Sequence, residues 1–157
     1  MKKYFILAVL FCFSCLKVSA QSAYARGYVG NVGLRMGVAA RGSVGYAAGL
    51  ESVHGFAFGN GVFLGGGLAL SGPIRNNATV DGFVETKYNL YDTPVSPFIA
   101  LKGGMIVPIV PEPEIAGFVS PGVGIDFFDF SVRLAYRMVS TYNQSPRGVD
   151  FTISYCF

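Results

Sequence analysis

The stretch GVDFTISYCF, residues 148–157, alternates between apolar side chains and small or polar ones. Its apolar side chains stand at the odd positions, Val149, Phe151, Ile153, Tyr155 and Phe157. Successive side chains of a β-strand point to opposite faces, so this stretch predicts a strand with one apolar and one polar face. Such a strand fits a soluble protein with the apolar face inward, or a membrane barrel with that face outward.

Seven further segments alternate in the same way, and each is about as long as a tilted strand that crosses a membrane. The eight segments are residues 28–36, 43–52, 61–70, 79–90, 97–107, 116–127, 130–138 and 148–157. Tight turns (GNG, YDTP, FFD) alternate with other connections, of which SGPIRNN and STYNQSPRG are longer and more polar. Short turns on one side and longer loops on the other are typical of outer-membrane barrels.

Residues 1–20 have the anatomy of a cleaved signal peptide. Lys2 and Lys3 precede an apolar core, and Val18-Ser19-Ala20 is a small-residue cleavage site. Residues 21–157 then form one domain. Lys2, Lys3 and Lys17, three of the twelve basic residues, leave with the signal peptide. The mature chain therefore has nine basic and nine acidic residues. That balance predicts no nucleic-acid partner.

The polar face distinguishes a soluble protein from a membrane barrel. It carries five basic and five acidic residues: Arg35, Lys87, Lys102, Arg133, Arg137, Glu51, Asp81, Glu85, Asp126 and Asp150. The same face is rich in glycine, which a water-facing surface does not require. The interior of an eight-stranded barrel is only wide enough for side chains, so enclosed ions must be paired and small residues must make room for them.

The sequence therefore predicts an all-β fold, an eight-stranded antiparallel transmembrane up-and-down β-barrel with an ionic network in its lumen. A closed barrel leaves no strand edge open, which suits a mature chain whose single cysteine, Cys156, cannot form an internal disulfide. We expect Arg133 and Arg137 to pair with Asp126 and Asp150 on the neighbouring strands. Glu85 and Glu51 are further expected partners, from across the lumen.

The chain resembles the small eight-stranded outer-membrane β-barrels of Gram-negative bacteria, the OmpA/OmpX-like group. The resemblance covers nearly all of the mature chain and is carried by FLGGGLAL (63–70), KYNLYDTPVSPFIALKGG (87–104) and VDFTISYCF (149–157). It implies an outer-membrane location, contact with membrane lipid and lipopolysaccharide, and a monomer. It also implies that Phe157 and Tyr155 form an aromatic C-terminal signal for the barrel-assembly machinery.

The sequence offers little for catalysis, and we expect no enzyme, cofactor or metal. Some barrels of this kind modify lipid A. The resemblance implies that such an enzyme would use a His and a Ser on one strand face with an acidic partner. His54 is the only histidine, Ser52 shares its face, and Glu51 lies on the opposite face. A structural or surface-interaction role is the first expectation. A small, porin-like pore for ions or apolar molecules is the alternative, and a lipid A-modifying enzyme is a weaker one.

Overall fold

The structure, a computed structural model, describes residues 25–41, 46–73, 78–109, 115–140 and 147–157. The predicted signal peptide lies outside these residues. The described residues form eight strands: β1 (Gly27–Arg41), β2 (Tyr46–Ala57), β3 (Val62–Pro73), β4 (Thr79–Asn89), β5 (Val95–Pro108), β6 (Ala116–Phe127), β7 (Phe130–Ser140) and β8 (Arg147–Cys156). Among them, no helix is long and apolar enough to cross a membrane.

Each strand pairs antiparallel with the next, and β8 pairs with β1 to close the barrel. The predicted eight-stranded antiparallel up-and-down barrel is therefore confirmed. The closing seam is extended by Phe157, whose backbone N–H donates to the Gly30 carbonyl at 2.8 Å and whose carbonyl accepts from the Gly30 N–H at 2.9 Å. Because the ring of strands is complete, no strand edge is left to pair with another chain.

The connections at one end of the barrel are short. They lie between β2 and β3, between β4 and β5, and between β6 and β7, and we call this end the short-turn end. Gly59 and Gly61 adopt positive φ angles of 82° and 83° in the first of these turns, which is why the turn sequence is GNG. Most residues of the connections at the opposite, loop end lie outside the described residues.

Two predicted strands ended five residues too early. The second strand was expected to end at Ser52, but β2 continues to Ala57. Val53 and Ala57 point inward and are fully buried, so small apolar residues continue the inner face of the strand beyond Ser52. The first strand is also longer than predicted and reaches Arg41.

The two faces of the barrel are inverted relative to a soluble protein. Large apolar side chains point outward, as Leu34, Leu68 and Met105 show with 59%, 64% and 62% of their surface exposed. In water, an apolar surface of this extent would drive aggregation. Aromatic rings on the outer surface gather at the short-turn end, where Phe130 packs against Phe127 and Tyr155 with ring centroids 5.9 and 5.6 Å apart. Such a belt is typical of a membrane–water interface.

Several inward-facing glycines make room for phenylalanine rings, and Gly37 makes room for an ionic side chain as the sequence suggested, since a Cβ there would lie 2.6 Å from Oδ1 of Asp150. A Cβ on Gly67 would lie 2.7 Å from Cζ of Phe83, and one on Gly124 would lie 2.4 Å from Cζ of Phe98. Phe63 covers Gly65 in the same way, at 2.6 Å. These rings lie against bare backbone and fill the lumen between the charged residues.

Candidate functional site

The lumen holds all ten charged residues of the predicted inner face, arranged in three groups that are each electrically neutral. The upper cluster lies nearest the loop end and contains Arg35, Asp81, Arg137 and Asp150. The central cluster contains Glu51, Glu85, Lys102 and Arg133. The lower pair, Lys87 and Asp126, lies nearest the short-turn end.

In the upper cluster, a single carboxylate oxygen joins two arginines. Oδ2 of Asp81 accepts from Nη2 of Arg35 at 2.7 Å and from Nη2 of Arg137 at 2.8 Å. Arg137 also reaches Oδ2 of Asp150 from Nη1 at 3.4 Å, and Arg35 donates to the Ser71 hydroxyl. Asp81 is fully buried, so two charge-assisted bonds replace the water that this carboxylate has lost.

In the central cluster, a lysine bridges two glutamates. Nζ of Lys102 lies 2.7 Å from Oε1 of Glu51 and 3.4 Å from Oε2 of Glu85. The other oxygen of Glu85, Oε1, accepts from Nη1 of Arg133 at 3.2 Å. All four side chains are less than 10% exposed. Charges this deeply enclosed persist only when they are paired.

The lower pair, Lys87 and Asp126, is the third ionic group of the lumen. Nζ of Lys87 lies 2.8 Å from Oδ2 of Asp126, and the same oxygen accepts from Nδ2 of Asn89 at 2.6 Å. Lys87 also lies over the ring of Phe98, with Nζ 4.9 Å from the centroid. An ionic contact and an aromatic contact therefore both hold the Lys87 side chain in place.

The expected partners were only partly right. Arg137 pairs with Asp150 and Arg133 pairs with Glu85, as the sequence indicated. Asp126 was expected to pair with an arginine, but it pairs with Lys87. The register explains this difference, because Arg133 lies opposite Gly124 while Asp126 lies opposite Ser131, nearer the short-turn end. Glu51 likewise pairs with a lysine across the lumen, Lys102, rather than with either arginine.

Sequence reasoning missed the lumenal phenylalanines. Besides Phe98 under Lys87, Phe83 lies under Lys102 with Nζ 4.6 Å from the ring centroid, and Phe118 lies under Arg137 at 4.1 Å. A signal was present in the alternation, since Phe83 stands between Asp81 and Glu85 on the charged face. Each cation that lies over a ring gains an attraction of about 0.5–2 kcal/mol in addition to its ion pair.

A cavity of about 20 Å³ lies in the lumen beside the central cluster and extends toward the short-turn end. Its lining includes Asn31, Glu51, Ser131, Arg133 and Thr152. A cavity needs roughly 10–15 Å³ to hold one water molecule, so this one has room for a single water and no more. Val29, Phe63 and Phe98 add apolar surface to this lining.

A second polar group lies on the outer surface near the short-turn end. Oγ of Ser52 lies 2.9 Å from Nε2 of His54, and Nδ1 of the same ring lies 2.5 Å from the hydroxyl of Tyr28. The structure thus brings Ser52 and His54 together as their spacing suggested, and adds a tyrosine that the sequence did not indicate. Glu51 points into the lumen, away from this group.

Phe157 packs beside this outer group. Its ring meets His54 edge-on with centroids 6.1 Å apart, and it crosses Gly30, where a Cβ would lie 2.6 Å from the ring. Tyr155 packs on Phe130 of the neighbouring strand. Both residues of the predicted assembly signal are therefore built into the closing seam of the folded barrel.

By sequence, the chain matches no known protein family and no curated protein. By structure, it is similar to the outer membrane enzyme PagL, with a TM-score of 0.60 at 13% identity over 81% of this chain and 98% of that one. It is also similar to a structure from the de novo design of transmembrane β-barrels, with a TM-score of 0.55 at 13% identity over 82% and 95%.

A third similar structure is the N-terminal β-barrel domain of Pseudomonas aeruginosa OprF, with a TM-score of 0.53 at 10% identity over 84% of this chain and 99% of that one. These proteins have different roles, so the likeness concerns architecture. Together with the inverted faces and the closed ring of strands, it confirms the resemblance seen in the sequence: the chain has the fold of the small eight-stranded outer-membrane β-barrels.

Proposed function

We propose that the chain spans the bacterial outer membrane as a monomeric barrel whose lumen is closed, and that its role is structural or lies in surface interactions. The observation that carries this proposal is the column of three neutral ionic groups, which fills the interior from the loop end to the short-turn end. A barrel filled in this way separates two compartments. Any ligand would then be met by its outer surfaces and loops.

The closed lumen distinguishes this function from a small pore. An ion that crossed the barrel would have to pass the central cluster, where Lys102 and Arg133 hold two glutamates at 2.7–3.4 Å. The cavity beside that cluster has room for one water molecule, which is less than the hydration shell of any ion. Passage would require at least one enclosed ion pair to break, which costs several kcal/mol.

Planar-bilayer recording tests this point. The purified protein is expected to leave the conductance of the membrane at its bare-lipid value, while a general porin added to the same chamber raises it. Steady unitary currents that scale with the amount of this protein would instead support the pore.

The outer surface supports the membrane location and the expected lipid and lipopolysaccharide contacts. Its apolar band ends in an aromatic belt at the short-turn end, which suits the interface between hydrocarbon and water. Cell fractionation is the test, with heat-dependent migration in gels as the sign of a closed barrel. Recovery of the protein in the soluble periplasmic fraction would refute the location.

A second candidate function follows from the group formed by Ser52, His54 and Tyr28. A serine hydroxyl within hydrogen-bond reach of an imidazole, itself held by a third group, is the arrangement of an activated nucleophile. In an ester hydrolysis, Oγ of Ser52 would attack the carbonyl carbon and give its proton to Nε2 of His54. The departing alcohol would take that proton, and water would then release the acyl group from the serine.

Several features favour the structural role over this hydrolase. The third group is a neutral tyrosine hydroxyl, which stabilises a protonated imidazole less than a carboxylate does. The backbone N–H groups near a strand serine are used by the barrel, so they are poorly placed to stabilise an oxyanion. Release of fatty acid from ester lipids in vesicles, compared between the wild type and Ser52→Ala, decides between the two. Serine-dependent release would establish the enzyme.

A further inference from the structure

Four buried polar atoms around the lumenal cavity have no hydrogen-bond partner in the described part of the protein. They are Oδ1 of Asn31, Oε2 of Glu51, Nε of Arg133 and Oγ1 of Thr152. All four residues line the same cavity of about 20 Å³. Glu51, Arg133 and Thr152 are only 4%, 5% and 2% exposed, so bulk solvent does not satisfy them.

We propose that this cavity is a binding site for one water molecule that is part of the folded structure. The volume has room for one water, and a buried water needs two to four polar partners. The four partner atoms also match the donors and acceptors of a water molecule in number and in kind. Glu51 and Asn31 offer two acceptors, which take the two water protons, while Nε of Arg133 and the hydroxyl of Thr152 donate to the two lone pairs.

The lining favours water over an ion. A cation at this position would meet Arg133 directly, and Lys102 is already bound to the other oxygen of Glu51. An anion would meet the unpaired oxygen of Glu51 and the carboxylate of Glu85. Water is the ligand that satisfies both signs at once, because it donates and accepts equally.

The placement of the four partners gives the water a structural role. Arg133, Thr152, Asn31 and Glu51 lie on β7, β8, β1 and β2, which are consecutive around the closing seam of the barrel. Neither β1 nor β8 contributes a charged residue to the central cluster. The water therefore connects the first and last strands to that cluster, and Lys102 fills the opposite side of the lumen from β5.

Without this water, the four strands would enclose unpaired polar atoms at their seam, and each such atom costs stability. This inference rests on the closed lumen proposed above, since an open lumen would fill the site with exchanging solvent. Resident water and solvent water can be distinguished by their dynamics.

Cross-relaxation between water and the Nε proton of Arg133 tests the site, with the protein folded in detergent micelles and labelled with ¹⁵N. A water that stays bound gives peaks of opposite sign in NOE and ROE spectra, whereas proton exchange with solvent gives the same sign. Opposite signs are expected. Absence of a peak, or peaks of equal sign, would overturn the proposal of a resident water. Equal signs together with measurable conductance through the barrel would also overturn the closed lumen.

Two variants at Asn31 provide an independent test by stability. Asn31→Leu fills the cavity and expels the water, so the water peak should vanish and the equilibrium constant for unfolding should rise about tenfold or more. Asn31→Asp keeps an acceptor at the same place and should keep the peak. If the cavity were instead a dry void, Asn31→Leu would fill it with apolar atoms and stabilise the barrel, which would refute the proposal.

Discussion

Replacing Arg133 by methionine removes one cation from the central cluster while keeping a side chain of similar length. Nη1 of Arg133 lies 3.2 Å from Oε1 of Glu85, and the arginine is 5% exposed. After the replacement, Lys102 remains as the only cation for two glutamates, and it lies 3.4 Å from Glu85. The cluster changes from neutral to one net negative charge in a site that excludes solvent.

The expected loss of stability is about 3 kcal/mol. Removing one partner of a buried ion pair typically costs 3–5 kcal/mol, and the lower end applies because Lys102 still contacts Glu85. With a urea dependence of about 1–3 kcal/mol per molar, that loss lowers the midpoint of unfolding by about 1–3 M. The assay is equilibrium folding into detergent micelles, followed in parallel for the wild type and the variant.

Arg147→Met is the matched control, because it makes the same chemical change at an exposed site. The sequence placed Arg147 in a polar loop, but it is the first residue of β8 and lies opposite Met138. Its replacement is expected to move the midpoint little. A further variant, Arg133→Met with Glu85→Gln, restores neutrality and should recover part of the loss. Equal midpoints for the two single variants would show that the central cluster is solvated or unimportant for stability.

Three further predictions follow from the lumen and the seam. Gly67→Ala should destabilise the barrel because its Cβ would lie 2.6–2.8 Å from the backbone and the Phe83 ring, whereas Gly66→Ala should be neutral because its Cβ would point outward and meet only the Phe83 carbonyl, at 3.6 Å; urea midpoints compare them. Asp81→Asn should cost about 3 kcal/mol or more because it leaves Arg35 and Arg137 with Asp150 as the one remaining carboxylate of the upper cluster, and the same unfolding assay measures this. Deleting Phe157 should lower the amount of folded protein in cells by more than its packing loss of about 1–3 kcal/mol implies, and normal levels in the membrane would refute a role in assembly.

The sequence predicted the fold because β alternation has a period of two and survives in nearly every strand. Once each of the eight segments showed which of its two faces was apolar, the inner face followed, and the ten charged residues on it all lie in the lumen. The boundary of β2 was missed where this signal weakens, since Val53 and Ala57 are apolar residues on the inner face. Over this stretch the outer face carries the polar Ser52 and His54, so polar and apolar positions exchange faces and the alternation no longer marks the strand.

Partner choice within the lumen was beyond the sequence for a different reason. Pairing across a barrel depends on the register between neighbouring strands and on their tilt, and the sequence of a single strand contains neither. Arg133 and Asp126 lie on adjacent strands and on the same face, yet the register sets them at different heights. The Tyr28–His54 contact joins β1 and β2 for the same reason, and no spacing along the chain could have indicated it.

The ionic groups of the lumen specify the register between neighbouring strands. If one strand slipped by a single residue, its charged side chains would move from the lumen to the lipid face, at a cost of about 2–4 kcal/mol for each Lys or Arg near the middle of the membrane. A slip by two residues would keep the faces but would separate Asp81 from its two arginines and set Phe83 against a residue other than Gly67. The apolar outer surface cannot discriminate between these registers, because lipid contacts every apolar side chain equally well. The discrimination therefore lies in the lumen, where the observed register allows pairing at 2.7–3.4 Å.

Variants such as Arg133→Met should therefore weaken the preference for one register as well as lower stability. Hydrogen exchange of the backbone amides in β7 should rise beyond what the change in global stability accounts for.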